Sequence, residues 1–169
     1  QIQAQLKLDL GDIEVLHGDI WDASLLYSQV ALDFKQDVLG SDARLRNAKI
    51  SFYTGDFLWS KAQLDILKAG TSKLIANDAM ELSLLISDNL GQDTVSVPLQ
   101  LYAKAELLTF QHKYDSATVV LDTLSARFPM HAIGDRVLYE RYHIAMARHQ
   151  YPVAAGFLEK VVELYPNGI

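Results

Sequence analysis

The chain has 169 residues and a formal net charge of −6, half of its residues are apolar, and it contains no cysteine. The lack of cysteine excludes disulfides, thiolate metal sites and cysteine nucleophiles. No Lys- and Arg-rich stripe of the kind needed for non-specific nucleic-acid binding is present. No apolar run approaches the roughly 20 residues that cross a bilayer. The composition therefore predicts a folded protein that neither binds nucleic acid nor spans a membrane directly.

Two helices separated by a glycine turn are predicted at the start of the chain. Apolar residues at helical spacing predict the first helix over residues 5–17. The dipeptide Gly18-Asp19 interrupts this pattern. A second apolar stripe predicts a helix over residues 20–39. We expect Gly40 to end it, because glycine tolerates the left-handed conformation that follows many helices.

A second pair with the same arrangement follows. Ser41 or Asp42 is placed to cap its first helix, since short polar side chains bond to free N–H groups at helix starts. Gly55-Asp56 recurs 37 positions after the first Gly-Asp turn. A helix over residues 57–69 completes the pair.

An additional segment then enlarges the second pair. The next turn, at His112, comes 57 residues after Gly55 instead of 37. The surplus lies between residues 70 and 97 and carries a helical pattern over residues 78–90, which Asp78 would begin. An insertion of this length could form a lid or a contact specific to its repeat.

Two further pairs complete the chain. The sequence His112-Lys113-Tyr114 recurs as His149-Gln150-Tyr151, again 37 positions later. A fixed period in this range is typical of stacked helical repeats. The remaining helices are predicted over residues 98–111, 114–127, 135–148 and 152–165.

These landmarks resemble the tetratricopeptide repeat (TPR) family, whose unit is a helix-turn-helix of about 34 residues. Leu10-Gly11 matches the family pattern in the first helix. In the second helix, Ala117 and Ala154 are each followed by a leucine four positions later and then by a proline. The resemblance implies an all-α fold in which antiparallel helix pairs form a right-handed superhelical array, an α-solenoid. A single domain over residues 1–169 would hold four repeats, at about 4–40, 41–97, 98–134 and 135–169, with the additional helical segment near 75–90.

The resemblance also implies a function, because the first helices of TPR repeats line a concave groove that binds other proteins. Tyrosines with mixed charges suit a protein or peptide partner, since tyrosine offers rigid contact area with a polar tip. By position, the groove residues would be Asp12, Lys49, Tyr53, Tyr102, Glu106, Tyr139 and His143. We expect Trp21 and Trp59, just after the first two turns, to fill the core.

No motif indicates metal or enzyme chemistry. His112 and His149 would lie roughly 10 Å apart at the packing distance of neighbouring helices, too far to share one ion. No pair of histidines has the spacing that places two ligands on one helix face. Phosphate loops, serine elbows and dinucleotide fingerprints are also absent from the sequence. We therefore predict a scaffold without metal, cofactor or catalysis.

Two alternative functions remain open. The chain could be a structural module of a bacterial envelope or outer-membrane complex that acts through its ends or convex face, or a helper domain of a larger enzyme. The first residue is Gln1 and the last repeat ends at Tyr165-Pro166 without a polar capping helix. These features predict a piece of a longer TPR protein whose last repeat is open to self-association. The Phe-Pro and Tyr-Pro ends of the repeats also resemble the bacterial branch of the family, and this resemblance implies a protein of the bacterial cytoplasm or periplasm.

Overall fold

The structure, a computed structural model, describes residues 1–68, 70–91 and 96–166. This part of the chain forms nine α-helices and no strand. It divides into two compact units, Gln1–Val95 (unit 1) and Ser96–Ile169 (unit 2). Among the described helices, none combines the length and apolarity that crossing a bilayer requires. The predicted all-helical fold is therefore confirmed, whereas a single domain over the whole chain stays a prediction.

Consecutive helices pack against each other within each unit. In unit 1, each helix packs on the next one along the chain; the five helices are α1 (Ile2–His17), α2 (Ile20–Asp33), α3 (Val38–Tyr53), α4 (Phe57–Leu67) and α5 (Lys73–Leu90). In unit 2, the closest packing joins the first helix to the second and the third to the fourth; these helices are α6 (Val97–Phe110), α7 (Tyr114–Arg127), α8 (Gly134–Ala147) and α9 (Tyr151–Leu164). This packing of adjacent helices is consistent with a helical repeat.

Each of the four turns that define the period contains one residue with a positive φ angle. Gly18 and Gly55 have φ angles of 105° and 84°, and His112 and His149 both have 59°. In every case the next residue donates its N–H to a carbonyl in the last turn of the preceding helix, at 2.8 to 2.9 Å. Residues other than glycine are uncommon in this left-handed region, and histidine is among those that adopt it most often. In both histidine turns the ring Nδ1 shares a hydrogen bond with the hydroxyl of the tyrosine two positions later.

A small residue lies at the contact inside each of the four helix pairs that share this turn. Ala23, Ala117 and Ala154 are buried in the second helix of their pairs, at equivalent positions. Ser60 occupies this position in α4 and is also fully buried. Its hydroxyl donates a hydrogen bond of 2.7 Å to the carbonyl oxygen of Ala48 on α3. The serine is therefore tolerated in the core because its polar group is satisfied.

The predicted boundary between α2 and α3 is wrong. Helix α2 ends at Asp33 rather than at residue 39, and Gly40 lies inside α3. The side chain of Asp37, not of Ser41 or Asp42, caps α3. A Cβ at Gly40 would lie 1.9 Å from the carbonyl oxygen of Phe34. The glycine is therefore required by a close approach of the preceding turn, not by a helix end.

The additional segment forms a longer helix than the sequence predicts. Helix α5 begins at Lys73, and Asp78 lies within it. Ser72 provides the cap by accepting a hydrogen bond from the N–H of Ile75. Buried apolar residues recur along one side of the helix, which packs on α4. The extra length is thus an ordinary amphipathic helix.

Candidate functional site

The predicted groove residues of unit 1 lie on α1 and α3. Asp12 is engaged within the protein, because its carboxylate accepts a hydrogen bond of 2.7 Å from the hydroxyl of Tyr27 and pairs with Arg46. Burial, and then the bond to Asp12, raises the pKa of Tyr27 above its usual range. Asp12 thus links α1 to α2 and α3.

Lys49 and Tyr53 are better placed for binding than Asp12. They lie four residues apart on α3 and therefore share one face of the helix. Both side chains are half-buried. The ring of Tyr53 lies 6.0 Å from that of Phe52, which is fully buried. The ring of Tyr53 is thus in contact with a side chain of the core.

In unit 2 the predicted groove residues differ in their exposure. Tyr102 on α6 is only 4% exposed and therefore offers little surface to a partner. Glu106, on the same helix, is half-buried. On α8, Tyr139 is half-buried and His143 is exposed. Helix α8 therefore presents more of the predicted site than α6 does.

Three rings on α8 contact one another, and we refer to Tyr139, Tyr142 and His143 as the α8 aromatic cluster. The rings of Tyr139 and Tyr142 are stacked with centroids 5.7 Å apart. The imidazole of His143 lies 4.4 Å from the ring of Tyr139 and 5.1 Å from that of Tyr142. These contacts restrict all three rings while leaving part of each side chain accessible.

A buried carboxyl lies beside the α8 aromatic cluster. Glu140 is only 6% exposed. Burial raises the pKa of its carboxyl, while a hydrogen bond with Thr109 and the charge of His143 act in the opposite direction. A buried acid of this kind favours its neutral form.

Sequence reasoning missed two of these residues, Glu140 and Tyr142. A signal for Tyr142 was present, since it stands 37 positions after Ala105 and puts a large ring where the preceding repeat has a small residue. No spacing rule indicated that Glu140 would be buried.

The tryptophans lie on the surface, which contradicts their predicted place in the core. Trp21 is 73% exposed and Trp59 is 60% exposed. On α2, Leu25 and Leu32 are also exposed and share the face of Trp21, at helical spacing. On α4, Ile66 is exposed seven positions after Trp59. The small buried Ala23 and Ser60, not the tryptophans, make the contact inside the pairs.

We compared the chain with protein-family models, with curated proteins and with solved structures, and none of these comparisons found a match.

Proposed function

We propose that the chain is a protein-interaction scaffold built from TPR-like helix pairs, with no catalysis of its own. Its pairs would continue as a superhelical solenoid, and a segment of a protein partner would bind along the first helices of the pairs. The observation that carries this proposal is the α8 aromatic cluster, which combines partial exposure with fixed ring contacts.

The physical reason lies in the cost of ordering side chains on binding. A long flexible side chain loses about 0.5 to 1.5 kcal/mol of entropy when a partner immobilises it. Rings that already contact one another lose less, and tyrosine supplies large contact area with few rotatable bonds. Lys49 and Tyr53 present a similar combination of charge and supported ring on α3.

A second candidate function is structural assembly through the outward faces of α2 and α4. Contiguous exposed apolar side chains mark contact surfaces, and Trp21 shares one face of α2 with the exposed Leu25 and Leu32. An assembly module of an envelope complex, or a helper domain docked on an enzyme, would use this surface and leave the α8 aromatic cluster free.

Site-specific photocrosslinking in native cells distinguishes the two candidates. A photoreactive amino acid is placed at His143, at Tyr53 or at Trp59, and crosslinked proteins are identified by mass spectrometry. Groove binding predicts one shared partner at positions 143 and 53. Assembly predicts a partner at position 59 only, and this result would contradict the leading proposal.

Paired variants then test the energetic contribution of each surface. We expect Tyr139→Ala with His143→Ala to weaken binding of the crosslinked partner by at least about tenfold, as for residues central to an interface. Trp21→Ser with Trp59→Ser is the matched control, since it also removes two aromatic side chains that are at least partly exposed, but from α2 and α4. Equal loss in both pairs would show that the α8 aromatic cluster is not the specific site. Tyr102→Glu is unsuitable here because Tyr102 is buried.

A further inference from the structure

The first turn of the chain brings together three side chains that can bind a metal ion. Glu14 and His17 lie in the last turn of α1, and Asp19 is the residue that precedes α2. One ligand atom from each lies within 4.8 Å of the other two. We propose that Glu14, His17 and Asp19 form a binding site for a divalent transition-metal ion, Zn²⁺ in particular.

The backbone of this turn is fixed by hydrogen bonds. Gly18 has a φ of 105° and donates its N–H to the carbonyl oxygen of Glu14 at 3.0 Å. Asp19 donates its own N–H to the same oxygen at 2.9 Å. The chain therefore reverses directly after His17 and returns the carboxylate of Asp19 towards the end of α1. A continuous helix would carry it away from the other two ligands.

The side chain of Asp19 behaves differently from that of its equivalent in the second pair. Asp56 occupies the same position after its turn, and its carboxylate caps α4 by accepting a hydrogen bond from the N–H of Trp59. Asp19 makes no such capping bond with α2. Its carboxylate instead lies beside Glu14 and His17. Two carboxylates at this distance repel each other, and a cation between them removes the repulsion.

The three ligands occur together at this turn alone of the four equivalent turns. The second turn has Ser51 and Thr54 in place of Glu14 and His17. The third and fourth turns have Leu108 and Ala145 in place of Glu14. The group is therefore a property of the first pair and not a by-product of the repeat.

The ligand set favours zinc over the common hard cations. Ca²⁺ and Mg²⁺ prefer oxygen ligands, whereas Zn²⁺ readily combines an imidazole nitrogen with carboxylate oxygens. Ligands of a tetrahedral zinc ion lie about 3.3 Å apart, given bonds of about 2.0 Å. His17 and Asp19 are exposed, so their side chains can move and bring the ligand atoms, now within 4.8 Å of one another, to this shorter spacing. Water would fill the coordination positions that the protein leaves open.

Calorimetric titration of the untagged protein with Zn²⁺ tests the proposal. We expect saturable binding of about one ion, and no comparable binding of Mg²⁺. Removing one ligand, by His17→Gln or Asp19→Asn, should weaken Zn²⁺ binding at least about tenfold, since even residues that only support a ligand contribute that much. His149→Asn is the matched control and should leave the affinity unchanged, because it removes an exposed turn histidine that belongs to no such group among the residues that the structure describes. Equal affinity of wild type and His17→Gln would overturn the proposal.

Imidazole signals in nuclear magnetic resonance spectra identify which histidine binds the ion. In the simplest alternative, His17 forms hydrogen bonds with the two carboxylates and no metal binds. Our proposal predicts that Zn²⁺ shifts the signals of His17 first among the five histidines. Unchanged His17 signals, or an earlier change at another histidine, would contradict it. The inference does not depend on the proposed scaffold function. The variants that test the metal site and those that test partner binding change different residues, so either proposal can fail without the other.

Discussion

At the scale of single residues, the contact between Gly11 and Tyr27 determines how closely α1 and α2 can pack. A Cβ at Gly11 would lie 2.3 Å from Cε1 of the Tyr27 ring. Gly11→Ala would displace this ring and its hydrogen bond to Asp12. We expect the free energy of unfolding, measured by urea denaturation, to fall by about 1–3 kcal/mol.

The matched control for this substitution is Gly156→Ala in α9. A Cβ at Gly156 meets no atom within 4 Å. Alanine is favoured over glycine inside a helix by about 0.8–1.0 kcal/mol, so this variant should become more stable. An increase in stability in both variants would show that the ring of Tyr27 does not limit the approach of the two helices.

Glu140 predicts an unusual dependence of stability on pH. Because burial raises the pKa of its carboxyl, the folded state holds the proton more tightly than the unfolded state. Its contribution to the free energy of unfolding is therefore greatest below the ordinary pKa of 4.5 and falls as the pH rises through the folded-state value. Glutamine does not titrate, so we expect Glu140→Gln to be more stable than wild type at pH 7. This difference should shrink as the pH falls from 7 towards 4.5 and should be smallest below 4.5.

Urea denaturation of wild type and Glu140→Gln, at pH 7 and at a pH below 4.5, measures this effect. Glu159→Gln, at an exposed position of α9, is the control and should change little at either pH. A loss of stability in Glu140→Gln at pH 7 would instead mean that the ionised carboxylate makes a favourable contact in the folded protein.

At the scale of elements, a hydrogen bond between Ser83 and Asp65 joins the additional helix α5 to α4. The hydroxyl of Ser83 is fully buried and donates to the carboxylate of Asp65 at 2.8 Å. Asp65→Ala leaves this hydroxyl without its acceptor, so we expect a loss of about 1–3 kcal/mol in the free energy of unfolding. Asp65→Asn keeps an acceptor and should lose less, whereas an equal loss would assign the effect to the exposed ion pairs with Lys61 and Lys68.

The sequence predicts the ends of helices well where neighbouring residues show which role a glycine or a polar residue has. Gly18 directly follows an apolar helical pattern, which predicts a turn there, and its positive φ confirms this prediction. Gly40 was assigned wrongly because glycine also marks a close approach between chain segments, and no local pattern shows that Phe34 lies against it. The sequence predicts that Asp78 begins α5, whereas Ser72 caps it, and either residue type can cap a helix.

The candidate sites were harder to predict because they depend on contacts between distant positions. Asp12 was assigned to the groove, but it pairs with Arg46, which lies 34 positions away. The group of Glu14, His17 and Asp19 crosses a helix end, so a search for two ligands on one helix face does not find it. Burial of Tyr102 likewise depends on what packs over it and not on its place in the repeat.

At the scale of the whole molecule, the division into two units predicts separate unfolding. Leu64 in unit 1 and Leu121 in unit 2 are both fully buried. Replacing a buried leucine by alanine costs about 2–5 kcal/mol. Because each unit has its own buried apolar residues, we expect Leu121→Ala to increase amide hydrogen exchange in α6 to α9 and to leave α1 to α5 unchanged.

Leu64→Ala provides the reciprocal test and should affect α1 to α5 alone. Mass spectrometry of peptides from the exchanged protein resolves the two units in one experiment. A continuous repeat array makes a different prediction, because each repeat is stabilised by its neighbours. In that case Leu121→Ala would also increase exchange in α4 and α5, and the 37-residue period, rather than the division into units, would describe how the chain unfolds.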